Sequence, residues 1–338
     1  MIDFSLPYSC EWRLRRVDVR TWADSGAASP LLSASVRRDS SGDEPEIDSG
    51  TLEVMGDWGP GYHRLTMVAE QAGSIEAWPI ATLLCERAGS ENGRVTLTGR
   101  SVLHPAATEA ARIGEHVRAG EDGAQAVARL LRGSIAAPVS VEGSFSLEDH
   151  YDFTPGQSVL SAAWAVLNAA GFCLRVEGDG TVHVCPLPSE ESLSLDAAAA
   201  RSMLSGPSDE TGIADAINRF TAYEDGVSAT AENRDSGPGS YAERGYWNEE
   251  FDDSPVRVNG ETLGMYARRR LAELSPVREA HRYSRAFVPG VCPFDMVRST
   301  AATLGVDGLM RVESQDYEAS SGLLVSETAI REVQTWTE

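Results

Sequence analysis

The chain has 338 residues, more than one core usually serves, and its ordinary 42% hydrophobic and 24% charged content predicts a folded protein of two or three domains. Its 51 acidic against 29 basic side chains leave a formal charge of −22, which excludes a phosphate-gripping surface; it suits plain solubility or the wall of a passage along which DNA slides. Every cationic residue is arginine, so a P-loop lysine, a Schiff-base lysine and a Ser-x-x-Lys pair are all excluded within the chain.

At the start, MIDFSLPYSCEWRLRR lacks a basic stretch followed by an apolar block, and no later apolar run approaches the ~20 residues of a membrane helix. The expectation is a chain neither membrane-inserted nor signal-exported. Trp12 and Leu14 alternate, Arg15 and Arg16 break phase, and Val17 and Val19 resume, which reads as a strand with a bulge. Further strands are expected at Leu52 to Met55, Leu65 to Ala69 and Ile80 to Glu86. LLCERAGSENGRVTLTG reads as a hairpin, because Asn92-Gly93 supplies the positive φ angles of a tight reversal. Together these make a small barrel or sandwich, and RRDSSGDEPEIDSG reads as its polar loop.

From about Pro105 the composition turns helical. In GAQAVARLLRG, Val127, Leu130 and Leu131 share a face and Gly133 is the expected stop. The next segment predicts a helix with Thr154 as N-cap, Pro155 at its first position, Gln157 closing a capping box and Gly171 ending it. Leu160, Ala163, Trp164, Leu167 and Ala170 repeat at helical spacing, as a core stripe does. FCLRVEGDGTVHVCPL then reads as a hairpin turning at Gly178-Asp179-Gly180. Beyond a Ser-, Asp- and Pro-containing link near residues 188 to 212, INRFTAYEDG reads as a strand and TAENRDSGPGSYAERGYWNEEF as a turn-rich excursion. A helix is expected over Glu261 to Leu274, stopped by Pro276. From Arg282 to Trp336 short strands return, with SSG between two of them. The fold class is therefore mixed β with an α+β insert: a first β-barrel domain over 1–105, a helix-hairpin module over 106–212, and a second β-barrel domain with one preceding helix over 213–338.

Chemistry is hard to find in this pattern. The six histidines lie far apart, with no His-Glu-x-x-His spacing, and no Gly-x-Ser-x-Gly elbow is present. No cofactor and no metal are expected. Glu148, Asp149, His150 and Asp152 form the densest polar cluster, read as favouring the dipole of the helix after Thr154. Arg268, Arg269 and Arg270 read as ion-pair partners on their helix. Five dispersed cysteines without a Cys-x-x-Cys pair read as free cytosolic thiols; Cys173 and Cys185 flank the second hairpin, which allows them to approach one another, but reduced thiols and no disulfide are the expectation there. Carboxylates are abundant enough to supply a glycosidase pair, so a cell-wall glycan hydrolase is the alternative to a structural protein. A carbohydrate-binding β protein is another; its mark is exposed aromatics along one sheet, with Trp58, Trp78, Trp247 and Trp336 as candidates set against burial.

Three stretches carry a resemblance. RVTLTGRSVLHP, with a Thr-Gly-Arg closing a strand, is similar to the end of the first barrel in the baseplate hub family of tailed phages, which includes the late control proteins and the N-terminal hub part of siphophage tail-tip proteins. DFTPGQSVLSAAWAVLNAAGFCLRVEGDGTVHV resembles that family's capped helix and hairpin. INRFTAYEDG, then ENRDSGPGSYAERGY, then TLGMYARRRLAEL resemble the entry into its second barrel. The resemblance implies a non-catalytic virion component of the tail tip, made in the host cytoplasm. It also implies a homotrimer whose paired tube-like barrels form a pseudo-sixfold ring around the DNA passage. The implied partners are the distal tail ring and tube proteins, the tape-measure protein and a spike or fibre, with no sequence-specific nucleic-acid binding. Asp43 and Glu44 in the first barrel's loop, and Arg234, Tyr241, Arg244, Tyr246 and Trp247 in the excursion, are the expected contacts between chains. Because the chain ends at Glu338, soon after the second barrel, lytic and receptor-binding functions are expected on another chain.

Overall fold

Alternation along the first hundred residues builds six strands: β1 (Ser9–Val17), β2 (Asp24–Asp39), β3 (Asp48–Met55), β4 (Gly61–Gln71), β5 (Ser74–Glu91) and β6 (Arg94–Arg100). The computed structural model describes residues 2, 8–40, 48–112, 114–194, 208–301, 306–319 and 324–333. In β6, Val95 and Leu97 turn inward while Arg94, Thr98 and Arg100 face water, the period of two that half-buried strands require. The strands pair in the order β1-β4-β5-β6-β3-β2, and β1 also bonds to β2. The register of β1 on β2 slips between Leu14 and Arg16, where the phase break was expected; the strand ends at Val17, and Val19 is exposed. Asn92 and Gly93 hold φ angles of 51° and 76° and join Glu91 to Arg94. The stretch 37–50 is not wholly loop: Arg37, Arg38 and Asp39 extend β2, Asp48 begins β3, and Arg38 and Asp48 are buried. Asp43 and Glu44 lie outside the described residues.

The middle of the chain holds α1 (His104–Thr108), β7 (His116–Val117), α2 (Gly123–Ser134), β8 (Val139–Val141), β9 (Tyr151–Asp152), α3 (Val159–Ala169), β10 (Phe172–Val176), β11 (Val182–Pro186) and β12 (Glu191–Ser194). Asp122 caps α2 through the Ala124 and Gln125 N–H groups, and the helix runs one residue past Gly133. Helix α3 begins later than its sequence suggests, because Ser158 and not Thr154 is the N-cap: its hydroxyl accepts from the Ser161 N–H at 3.0 Å. Thr154 to Gln157 instead close a turn. The Gln157 N–H donates to the Thr154 carbonyl at 2.9 Å, and the Thr154 N–H donates to Gln157 Oε1 at 3.1 Å. The side-chain half of the expected box therefore exists, but Pro155-Gly156 makes it a reverse turn. Leu160, Ala163, Trp164 and Leu167 are buried as the stripe implies. The hairpin pairs Leu174 with Val184 and Val176 with Val182, and β8 adds to β11 in a three-stranded sheet.

The last part comprises β13 (Ser208–Thr211), β14 (Arg219–Glu224), β15 (Val227–Glu232), α4 (Tyr241–Arg244), β16 (Glu249–Asp252), α5 (Leu263–Leu274), β17 (Val277–Ala286), β18 (Met296–Ala301), β19 (Val306–Glu318) and β20 (Leu324–Val333). The excursion from Thr230 to Phe251 thus carries the end of a strand, a short helix and part of another strand. Sheet β15-β14-β16 receives α5 on one face, where Phe220, Ala222 and Ala231 meet Tyr266, Ala267 and Leu271. Ser320 to Gly322 and Trp336 lie outside the described residues.

Strand β19 pairs with β2, setting Tyr317 opposite Val36. Strands β1 to β6, β13 and β17 to β20 from the two ends of the chain, with β12 of the middle part added on β18, therefore form one twelve-stranded, mostly antiparallel sheet, and two separate closed barrels are not seen in it. Phe287, Tyr317 and Val325 enter the same core as Leu14, Leu52 and Leu83.

Candidate assembly surfaces

The tip of the β10–β11 hairpin plugs into the first strand set. Trp22 Nε1 and Arg64 Nη2 each donate to the Asp179 carbonyl at 2.9 Å, and the Thr82 hydroxyl donates to the Gly178 carbonyl at 3.0 Å. Arg64 is itself held by Asp24 at 2.5 Å. A Cβ on Gly178 would fall 2.1 Å from the Pro79 carbonyl oxygen, so the Gly-Asp-Gly that reads as a simple turn is also a contact between parts that only glycine permits.

Beside it, buried Arg38 ties three parts of the chain together. Its guanidinium reaches Asp48 Oδ1 at 3.4 Å and Cys292 Sγ at 3.4 Å, and donates to the Val176 carbonyl. Arg175, on the same hairpin, pairs with Asp295 at 3.0 Å, and Asp295 accepts the Cys292 N–H at 2.8 Å. Burial pushes the Asp48 carboxyl up to about 6 against the pull of Arg38. The geometry agrees, for Asp48 Oδ2 is buried with no hydrogen-bond partner among the described residues. Deeper in the last strands, Arg285 pairs with Glu327 at 2.5 Å, and Glu327 also accepts from Gln315 at 2.9 Å. Of these buried groups, Arg38 and Asp48 come from the polar stretch around residue 40, which reads as a loop. The available signal was phase: Ala34, Val36 and Arg38 occupy alternate, inward positions of one strand.

The expected contact residues of the excursion gather at one end of the open face of sheet β15-β14-β16. Trp247 stacks on Tyr241 at 4.2 Å and 25°, with the Arg219 and Arg234 guanidinium carbons 4.1 and 5.0 Å from its ring centre. Glu232 bridges both arginines at 2.7 Å. Arg244 donates to the Ala216 carbonyl at 2.9 Å and lies 5.8 Å from the Tyr246 ring centre. Tyr246 itself is 56% exposed. At the other end of the face Tyr223 and Phe251 stack at 6.5 Å and 30°, and both are exposed. Between them the Thr221 hydroxyl bonds Thr230 and Glu249 at 2.9 and 3.0 Å. Of the tryptophans weighed as exposed platforms, Trp58 is buried, Trp78 packs against the first core and Trp247 is held in the stack.

The polar clusters resolve into structural contacts. Glu148 accepts the Gly260 N–H at 2.6 Å and Asp149 pairs with Arg257 at 2.7 Å, so both bind the loop before α5 and neither caps α3. Arg269 pairs with Glu261 and Arg270 with Glu273, at 2.8 and 2.7 Å. Ser140, His183 and Glu142 have the residue types of a nucleophile triad. Ser140 and Glu142 share one ring nitrogen, however, at 2.8 and 3.2 Å from Nδ1, whereas a triad uses both. A cleft of about 340 Å³ opens between α3, α5 and the last strands, lined by Trp164, Phe294, Arg270, Arg311 and Glu313 among others. Two of its acids are engaged, Glu273 with Arg270 and Glu332 with Arg311, at 2.7 and 2.6 Å. Burial, then nearby Asp39, raises the third, Glu313. Among the described residues no group of three or more His, Cys, Asp or Glu is placed to hold a metal ion, and no helix is long and apolar enough to cross a membrane.

No family model and no curated protein matches the sequence. Solved structures match over nearly the whole chain. A tail protein from Neisseria meningitidis MC58 superposes with a TM-score of 0.68 and 15% identity, covering 95% of this chain and 96% of that one. The 43 kDa tail protein of prophage MuSo2 from Shewanella oneidensis gives 0.63 and 13%, over 95% and 98%. Prophage tail protein gp18 from Listeria monocytogenes EGD-e gives 0.56 and 9%, over 97% and 95%. The chain shares the fold of these phage tail proteins.

Proposed function

We propose that the chain is a structural component of a phage tail tip or related injection apparatus, a homotrimeric hub that joins the tail tube to distal tip proteins. The observation that carries this reading is the whole-length likeness in fold to phage tail proteins. In this reading the β sets of 1–105 and 213–338 act as tube-like barrels, the module 106–212 braces them, and three chains form a pseudo-sixfold ring around the DNA passage. The acidic surface keeps the passing DNA from sticking. Arg234, Tyr241, Arg244, Tyr246 and Trp247 lie between chains, and distal ring, tape-measure and spike or fibre proteins bind above and below. The protein works through these surfaces and without an active site. What supports a rigid ring component is the way buried arginines and a glycine tip lock the insert against both strand sets.

Light scattering coupled to size exclusion, with negative-stain images of the same peak, tests the hub. A ring at three times the 36.3 kDa of one chain is expected. A chain that stays at 36.3 kDa at all concentrations, and forms no ring with its tail neighbours, overturns the reading and turns attention to glycan hydrolysis.

A further inference from the structure

Hairpin β10–β11 sets Cys173 and Cys185 directly opposite one another, with their sulfurs 3.8 Å apart. Opposed residues of antiparallel strands have Cα atoms about 4.5–5.5 Å apart, within the range of about 4.4–6.8 Å that a disulfide spans. Closing the bond therefore asks for side-chain rotation and no change of register. The other cysteines stand apart from this pair: Cys10 is on β1, Cys85 on β5, and Cys292, in the loop before β18, contacts Arg38 and Glu177. A small reactant has a route in, since Cys173 lines the 340 Å³ cleft and Cys185 keeps 6% of its surface exposed.

We propose that Cys173 and Cys185 are an oxidisable dithiol, a modification site at which a hydroperoxide closes a cross-hairpin disulfide in the folded chain. Cys185 keeps 6% of its surface exposed against 1% for Cys173, and the hydrogen bond with Cys173 draws its thiol below its ordinary value, so Cys185 is the attacking thiolate and Cys173 the resolving thiol. Cys185 attacks the O–O bond of hydrogen peroxide, forming a sulfenic acid and releasing hydroxide. The Cys173 sulfur then attacks the Cys185 sulfur, the S–S bond forms as the S–O bond breaks, and the Cys173 proton leaves with that oxygen as water. Two electrons pass from the sulfurs to the peroxide. The staple stiffens the strand that continues into Arg175, Val176 and Glu177, the residues that meet Arg38, Cys292 and Asp295.

The purified full chain, folded or denatured in guanidinium, is treated with hydrogen peroxide, alkylated, digested and mass-analysed. The folded chain is expected to lose about 2 Da, to yield one linked Cys173–Cys185 peptide that dithiothreitol separates, and to keep its other thiols alkylatable; the denatured chain is expected to give mixed products. In Cys173→Ser a sulfenic acid on Cys185 is expected to be trapped by dimedone. Five alkylated cysteines in the treated folded chain, sulfinic acid at either position without a link, or links to other cysteines would each overturn the proposal. If Cys173→Ser does not fold, the wild-type peptides decide alone.

Discussion

Gly178 and Pro79 approach so closely that a methyl group on Gly178 would stand 2.1 Å from the Pro79 carbonyl oxygen. Backbone lies on both sides of this contact, so neither side yields by a rotamer change. Gly178→Ala is expected to push the hairpin tip off Trp22, Arg64 and Thr82 and to lower unfolding free energy by roughly 1–3 kcal/mol, the cost of overpacking. Urea denaturation measures it; an unchanged midpoint and slope would show that the tip is not a tight joint.

Asp48 sets a pH dependence. Its carboxyl rises from 3.8 in the unfolded chain to about 6 in the fold, so the folded state holds its proton more tightly. Stability from this group is fully present below 3.8 and is lost as pH rises through about 6, an effect of about 3 kcal/mol at 1.36 kcal/mol per pH unit. His63, on β4, works the opposite way, because burial lowers its imidazole and folding weakens as it must charge below pH 6.5. The comparison with Asp48→Asn separates the two: between pH 7.5 and 4 the wild type is expected to gain stability relative to the variant. Parallel curves across that range would refute the assignment.

Much of the strand placement and the helix cores was legible, because alternation at Val95 and Leu97 and the stripe from Leu160 to Leu167 report burial directly. Local turn chemistry was legible at Asn92-Gly93 for a different reason, that Asn and Gly accept the positive φ angles a tight reversal needs. What sequence did not reveal were contacts between distant segments: Arg38 with Asp48 and Cys292, Gly178 with Pro79, and the β2–β19 pairing that merges the two ends of the chain into one sheet. Arginine, aspartate and glycine carry surface and turn preferences, and only tertiary partners make them interior residues. The stack of Tyr241, Trp247, Arg219 and Arg234 was half visible: Tyr241, Trp247 and Arg234 were expected to face another chain, and they first face one another and Arg219.

The displaced start of α3 gives a clean contrast. Ser158→Ala removes the hydroxyl that accepts the Ser161 N–H and is expected to cost about 1 kcal/mol. Thr154→Ala keeps the Thr154 backbone bonds to Gln157, which involve no Thr154 side-chain atom, and is expected to change stability by less than about 0.5 kcal/mol. Thermal unfolding of the two variants side by side checks the order; a larger loss for Thr154→Ala would restore the earlier helix start.

Tyr246 and Trp247 are neighbours with different expected roles, and substituting each separates assembly from folding. Trp247 is held by the Tyr241 ring and two guanidinium groups, so Trp247→Ala removes an internal stack and is expected to destabilise the single chain by about 2 kcal/mol. Tyr246 is 56% exposed, and the Arg244 guanidinium carbon lies 5.8 Å from its ring centre. Tyr246→Ala is therefore expected to leave single-chain unfolding within about 0.5 kcal/mol of wild type. If Tyr246 faces another copy of the chain, the same variant lowers the trimer fraction in light scattering across a dilution series. A Tyr246→Ala protein that assembles like wild type at every dilution would remove this residue from the interface while leaving the stack beneath it intact.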